Sequence, residues 1–113
     1  MNGVAGAKRW YWQRVTAMAL AVLVLVHLAT MVLAVRGGLS AAEILGRTRG
    51  SALAGAFYSA FVLAAAVHAS LGLATVAEEW LRMEGRLARA LASAFGLAVA
   101  VLGLRAVWAV VAG

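Results

Sequence analysis

The sequence contains no cysteine, and only 12% of its 113 residues are charged. The absence of cysteine excludes disulfides, iron–sulfur ligation and the Cys-x-x-Cys-His attachment of c-type haem, so any redox group must be held non-covalently by other side chains. The low charge accompanies 65% hydrophobic residues and a mean hydropathy of +0.96. Because soluble domains are roughly half apolar and a quarter charged, a water-soluble fold is excluded.

Acidic residues are also few: four Asp and Glu stand against ten Lys and Arg, which gives a formal net charge of +6. In a soluble protein this excess would suggest a nucleic-acid partner. Here the basic residues lie at the ends of apolar runs, which is the usual arrangement in membrane loops. We therefore expect membrane lipid as the surroundings of this chain and no nucleic acid as a partner.

Three apolar segments are each long enough to cross a bilayer, and they cover approximately residues 15–35, 53–77 and 90–112. The first is bounded by Arg14 and Arg36 and, at about 1.5 Å per residue, would be about 31 Å long. The third is interrupted only by Arg105. Helices satisfy their own backbone polar groups in lipid. The sequence thus predicts an all-α, integral membrane, three-helix anchor that forms one domain over residues 1–113.

A cleaved signal peptide is the alternative for the first segment, because Val32, Leu33 and Ala34 loosely resemble a cleavage site. The segment is longer than the apolar region of a signal peptide, and basic Arg36 follows it directly. A transmembrane helix is therefore the favoured interpretation.

The basic residues also predict the orientation of the chain. Three lie between the first and second segments, and six lie before the first or between the second and third: Arg36, Arg47 and Arg49 against Lys8, Arg9, Arg14, Arg82, Arg86 and Arg89. Basic loops stay in the cytoplasm. We expect a cytoplasmic N-terminus, an external C-terminus and a location in the bacterial inner membrane. In the first loop, Ser40 followed by Glu43 is a capping-box pattern that predicts a short surface helix.

Ionisable side chains within membrane segments are costly and usually mark function. His68 lies about 14 Å from the cytoplasmic end of the second segment, among small residues that include Gly72. A neutral imidazole there can be an axial ligand of haem iron, or it can hydrogen-bond a neighbouring helix. His27 lies about 20 Å from Arg14, in the outer half of the bilayer, so the two histidines would serve different haems if both bind one. An interhelical hydrogen bond is the alternative for His27.

Two further groups of residues lie at the predicted membrane surfaces. Arg105 can anchor the third helix at the outer surface beside Trp108, or it can pair with the propionates of an outer haem together with Arg47 and Arg49. At the cytoplasmic end of the second segment, Glu79 and Trp80 can hydrogen-bond a quinone head group or simply anchor the helix at the interface.

Three short motifs in this order resemble a known family: Gln-Arg-Val-Thr-Ala at residues 13–17, His-Ala-Ser-Leu-Gly at residues 68–72 and Glu-Glu-Trp at residues 78–80. The sequence is similar to the small membrane-anchor, or cytochrome b, subunits of succinate dehydrogenase and fumarate reductase. Those subunits have about this length, three spans and the same orientation. The resemblance covers roughly residues 10–80. The third segment is similar only in being an apolar membrane span and shares no motif with the family.

The resemblance implies roles for individual residues. His68 stands at the position of an axial haem b ligand, and Arg14 at that of an arginine near the haem propionates and the quinone pocket. Glu79 and Trp80 stand where the family carries an Asp-Tyr pair whose tyrosine hydrogen-bonds ubiquinone. Tryptophan keeps a donor but lacks the phenolic acceptor. His27 is like the first-helix histidine of the two-haem members, so the resemblance implies one haem b or two.

The family resemblance also implies partners. The chain would anchor a flavoprotein and an iron–sulfur subunit, help to form the quinone site, and pair with a second anchor subunit or another copy of itself. It would carry no dicarboxylate chemistry of its own. Two alternatives stay open: a small transport or channel subunit in which His27, His68 and Arg105 line a polar path, and a structural anchor without haem.

Overall fold

The computed structural model describes residues 3–113, which form four helices and no strand. The helices are α1 (Gly3–Gly37), α2 (Ala41–Thr48), α3 (Ala52–Glu79) and α4 (Gly85–Val111). Helices α1, α3 and α4 are long and apolar enough to cross a membrane, which confirms the predicted all-α, three-span class. The helices contain the predicted segments apart from residue 112, and α1 begins well before residue 15. Hydropathy marks the apolar stretch, whereas the backbone hydrogen bonds of a helix continue into its polar ends.

The short helix α2 forms where the capping-box pattern predicts it. The Ser40 hydroxyl oxygen accepts the Glu43 backbone N–H at 3.1 Å and donates to the Glu43 carboxylate at 2.7 Å. The end of α2 is tied to α4, because the Thr48 hydroxyl donates to the Val110 carbonyl at 2.7 Å and the Gly50 N–H donates to the Val111 carbonyl at 2.7 Å. The last carbonyls of α4, which have no partner within their own helix, are satisfied in this way.

Helices α3 and α4 pack closely through small residues. The buried residues of these two helices are small: Ala66, Ala74, Ala88, Ala92 and Gly96. On α4 they recur every four residues and form one stripe along the helix. Small residues let two helix backbones approach, which is how dispersion forces hold helices together in lipid. The α3–α4 pair is therefore the rigid part of the fold.

Helix α1 packs against α3 in antiparallel fashion and is much less covered. Thr16 is its one buried residue among those described, and many of its large apolar side chains are exposed, including Met18, Leu25 and Leu33. Three contacts between α1 and α3 are polar: Arg9 approaches Glu78, Thr16 approaches His68 and His27 approaches Tyr58. The seam, or packing interface, between α3 and α4 thus consists of small residues, and the seam between α1 and α3 contains polar pairs.

The chain reverses direction between α3 and α4 over residues 80–84. Arg82 takes the left-handed conformation, with φ of 54°, and the Met83 N–H donates to the Ala77 carbonyl at 3.0 Å. The bond spans six residues, so it closes a wide turn around the end of α3. The turn places the end of α3 and the beginning of α4 at the same end of the bundle as the beginning of α1.

The Gly96→Ala substitution is expected to destabilise the α3–α4 pair. A Cβ atom at residue 96 would clash with the Ser70 hydroxyl and lie 3.0 Å from the Ala66 carbonyl oxygen, which belongs to the backbone and cannot rotate away. Overpacking of this kind costs about 1–3 kcal/mol. The measurement is the free energy of unfolding in mixed detergent micelles, followed by circular dichroism.

The matched control is Gly55→Ala on α3, where a Cβ would meet Val111 at an ordinary 3.6 Å. Both substitutions exchange glycine for alanine inside a helix, so they share the gain in helix propensity. We expect Gly55→Ala to keep or raise the stability. Equal stabilities of the two variants would contradict the close α3–α4 contact.

Candidate functional site

The first candidate site lies between α1 and α3, near the beginning of α1. A cavity of about 470 Å³ is lined by eleven residues: Gly6, Arg9, Trp10, Gln13, Arg14, Ala17, His68, Leu71, Thr75, Glu78 and Glu79. Its volume falls within the range of roughly 300–1,000 Å³ that is common for ligand pockets. The structure therefore brings His68, Arg14 and Glu79, three of the predicted site residues, to the wall of a single cavity.

His68 reaches this cavity from the middle of α3 and contacts α1. Its ring atom Nδ1 lies 3.3 Å from the hydroxyl oxygen of Thr16. One helical turn further along α3, the Gln13 amide lies over Gly72, and its nitrogen would be 3.2 Å from a Cβ atom at that glycine. The absence of a side chain at Gly72 thus makes room for Gln13 in this structure. The amide oxygen of Gln13 is buried without a hydrogen-bond partner among the residues described.

Charged side chains surround the open end of the cavity. The Arg9 guanidinium lies 3.9 Å from the Glu78 carboxylate, and Arg89 of α4 lies 3.4 Å from the same carboxylate. Arg14 stacks over the Trp10 ring with its guanidinium carbon 5.0 Å from the ring centre, a cation–π arrangement. Glu78 thus links all three long helices, and the cavity has two guanidinium groups at its rim.

The two predicted quinone residues separate in the structure. Glu79 lines the cavity, whereas Trp80 is 79% exposed and is not part of its wall. Consecutive residues of a helix point about 100° apart, and Trp80 is the C-cap residue that directly follows the last residue of α3, Glu79. Within this chain, Glu79 and not Trp80 accompanies His68 and Arg14.

His27 lies at a different level and lines other cavities. It is eleven residues from Thr16 on α1, or about 16 Å along the helix axis. Its Nδ1 atom lies 3.4 Å from the Tyr58 hydroxyl, and its ring packs edge-on against Tyr58 and Phe61 at 5.6 Å from each. The two histidines therefore lie at different levels of the bundle, and the Tyr58 contact is the interhelical hydrogen bond considered for His27. Iron binding by either histidine stays a prediction.

The three arginines predicted near an outer haem are not brought together. Arg47 lines a cavity of about 560 Å³ with His27 and donates a hydrogen bond to the Gly38 carbonyl at 2.7 Å. Arg49 lies elsewhere, beside Leu45. Arg105 lines neither His27 cavity, since the α4 residues that do so, such as Gly103 and Ala106, lie on another face of the helix. His27, His68 and Arg105 therefore do not line a common polar path.

Sequence reasoning assigned no role to Thr16, Gln13 or Tyr58. The signal for the first two was present, because Arg9, Gln13 and Thr16 recur at intervals of four and three residues and so share one face of α1. In a membrane-spanning helix, polar side chains face the interior of the bundle, so this stripe marks the face turned towards another helix. Tyr58 had no such signal, since its ring is apolar and only the fold shows that its hydroxyl meets His27.

A bare metal ion and a haem iron need different numbers of protein ligands. Among residues 3–113, no three His, Asp or Glu side chains form a group that could hold a metal ion by themselves. Haem iron needs only axial ligands from protein, and one imidazole supplies one of them. The His68 ring could hold a haem from one side, because it faces a cavity and its Nδ1 atom already has a neighbour. The two guanidinium groups on the cavity wall could pair with the acidic propionates.

One protein-family model matches this sequence over residues 2–105, and its description is "Succinate dehydrogenase/Fumarate reductase transmembrane subunit". No curated protein and no solved structure matches the sequence significantly. The family match covers nearly the whole chain, including every residue that lines the first cavity, and it extends beyond the residues on which the resemblance was based.

Proposed function

The chain belongs to the family of succinate dehydrogenase/fumarate reductase transmembrane subunits, and from this we propose that it is a haem b-binding membrane anchor that helps to form the quinone site. The observation that carries the proposal is the cavity that His68, Arg14 and Glu79 line together. An imidazole ligand, a cation and a proton-exchanging carboxylate are the groups that haem binding and quinone chemistry require.

Each residue of the cavity has a distinct part in this proposal. The His68 imidazole would bind the haem iron, and Arg14 and Arg9, which also line the cavity, would pair with the propionates. The haem, when bound, supplies one-electron redox chemistry. Glu79 lies near the end of α3, at the interfacial end of the cavity, where its carboxylate can exchange a proton with a quinone oxygen while Arg14 donates a hydrogen bond to it.

The proposed partners follow from what this chain lacks. In the described residues, His68 is the sole histidine on the cavity wall, so a second protein ligand of the haem iron would come from a second anchor subunit or another copy of this chain. The exposed apolar side chains of α1 offer a surface for that subunit. The flavoprotein and iron–sulfur subunits carry the dicarboxylate and electron-transfer chemistry, and this chain has no independent catalytic activity.

The proposed orientation places the first cavity at the cytoplasmic side of a bacterial inner membrane. The cavity lies at the bundle end that carries six of the basic residues, and the opposite loop carries three. Basic loops remain in the cytoplasm. This orientation puts Arg14 and Glu79 on the side at which soluble flavoprotein and iron–sulfur subunits would dock.

The first test is His68→Ala, which removes the proposed axial ligand. We expect the b-type band in the reduced-minus-oxidised visible spectrum of the purified complex to fall to a small fraction of its native height. Ser70→Ala is the matched control, because Ser70 lies on the same helix but contacts α4. Full haem occupancy in His68→Ala would refute the assignment of the ligand.

The second test separates Glu79 from Trp80. Glu79→Gln keeps the size of the side chain but removes its carboxylate, so we expect quinone reduction to fall about 10–100-fold, the equivalent of one hydrogen bond to a charged group. Dye-linked dehydrogenase activity and haem content should be unchanged. Trp80→Ala is the comparison, and because this indole is off the cavity we expect a smaller effect on quinone KM and turnover. A larger effect for Trp80→Ala than for Glu79→Gln would contradict the role of Glu79 and would indicate that the quinone binds on the exposed face of α3 beside Trp80.

A second haem at His27 is the further candidate, and the cavity that His27 shares with Arg47 is the observation that favours it. Binding there would require the His27 ring to leave Tyr58 or to use its other nitrogen. The measurement is the haem-to-flavin ratio of the purified complex. We expect two haems per flavin in the native complex and one in His27→Ala, with the remaining haem bound by His68. A native ratio of one would refute the second haem and leave His27 as the hydrogen-bond partner of Tyr58.

A further inference from the structure

Thr16 is the one polar residue that is buried among residues 3–113, with only 6% of its surface exposed. Its hydroxyl oxygen has three polar neighbours. It lies 2.7 Å from the Trp12 carbonyl oxygen, 3.2 Å from the Gln13 carbonyl oxygen and 3.3 Å from His68 Nδ1. The first two belong to α1 itself, whereas the third is the contact between α1 and the ring of His68.

The proton of the Thr16 hydroxyl can be assigned from this geometry. A hydroxyl has one proton to donate and two lone pairs to accept with, and a carbonyl oxygen can only accept. At 2.7 Å the Trp12 carbonyl is at the ideal distance for an O–H···O bond, so the hydroxyl proton goes there. The hydroxyl then faces His68 with lone pairs only, and the 3.3 Å contact is a hydrogen bond only if Nδ1 carries a proton.

The same assignment determines the state of the other ring nitrogen. In a neutral imidazole one nitrogen carries the proton and the other the lone pair. With the proton on Nδ1, the lone pair of His68 is on Nε2. An Nε2 lone pair is what iron coordination requires, and a ligand histidine usually donates its other N–H to a fixed acceptor, which sets the tautomer and raises the basicity of the ligand.

We propose that Thr16 is a positioning residue that holds His68 as the Nδ1-protonated tautomer, so that Nε2 is the nitrogen available for haem iron. This inference rests on the proposed haem ligation by His68. The His68 ring is on α3, and the Thr16 hydroxyl that accepts its hydrogen bond is on α1. Helix α1 would therefore orient the ligand although none of its atoms near His68 would bind the iron.

The first experiment reads the tautomer directly and needs no haem. The full chain contains only two histidines, so ¹⁵N-labelled histidine in the haem-free chain in detergent micelles gives a simple spectrum, and His27→Gln assigns it. We expect the His68 signals of the native chain and of Thr16→Ser to report a protonated Nδ1. Thr16→Val removes the hydroxyl at nearly constant shape, and its signals should report a mixture of tautomers. A Thr16→Val spectrum identical to the native one would overturn the proposal.

The second experiment uses the assembled complex. Loss of an outer partner of a ligand histidine typically weakens metal binding by about 10–100-fold, so Thr16→Val should lower haem affinity by that factor and Thr16→Ser should restore it. Without the hydrogen bond the imidazole donates less electron density to ferric iron, so the midpoint potential of the remaining haem should rise in Thr16→Val. An equal loss of haem affinity in Thr16→Ser and Thr16→Val would indicate that Thr16 acts through packing and not through a hydrogen bond, which would overturn the positioning role.

The two experiments distinguish failure of this inference from failure of the proposed function. A native complex without any b-type haem would refute haem binding, and the tautomer spectrum of the haem-free chain would still decide whether Thr16 directs the His68 ring. A native complex with haem and a Thr16→Val variant with unchanged tautomer, affinity and potential would refute the role of Thr16 alone.

Discussion

Hydrocarbon does not solvate hydrogen-bonding groups, and this constraint shapes every part of the chain. The backbone is satisfied by making each span a helix. Some polar side chains bond to carbonyls of their own helix, as Ser70 does with Ala66. Others find partners on a neighbouring helix, as Thr16 does with His68 and His27 with Tyr58. Both of these interhelical contacts lie between α1 and α3, so the proposed function rests on the interface between those two helices.

The two helix seams have different physical tasks. Between α3 and α4, residues such as Ala92 and Gly96 allow close backbone contact along the buried stripe of α4. Between α1 and α3, longer side chains hold the helices apart and leave cavities beside His68 and His27. Helices α3 and α4 pack closely, and α1 packs against α3 partly through polar contacts. In the proposed function, α3 would present the ligand residue and α1 would orient it.

The proposed anchor is incomplete as a single chain, and its incompleteness has a physical basis. The His68 cavity offers one imidazole, and a haem iron held by two protein ligands would need the second one from elsewhere. The large apolar side chains of α1 are uncovered, and they can be covered by lipid or by another helix at little difference in cost, because lipid is as apolar as leucine. Ligand completion, more than burial of apolar surface, would therefore select the partner of this chain.

The amino-acid sequence alone determined the class of this protein. Long charge-free runs compel helices in lipid, Ser40 and Glu43 specify the start of α2, and the distances of His27 and His68 from the nearest charges set their separate levels. Only the tertiary structure decided which neighbours each side chain meets. Rotation of a helix about its axis depends on packing, so sequence could not show that Glu79 faces the cavity while Trp80 faces away, or that Arg47 joins His27 while Arg105 does not. Likewise, the contact of Thr16 with His68 joins residues 52 positions apart, and it exists because α1 and α3 pack at one register and not another.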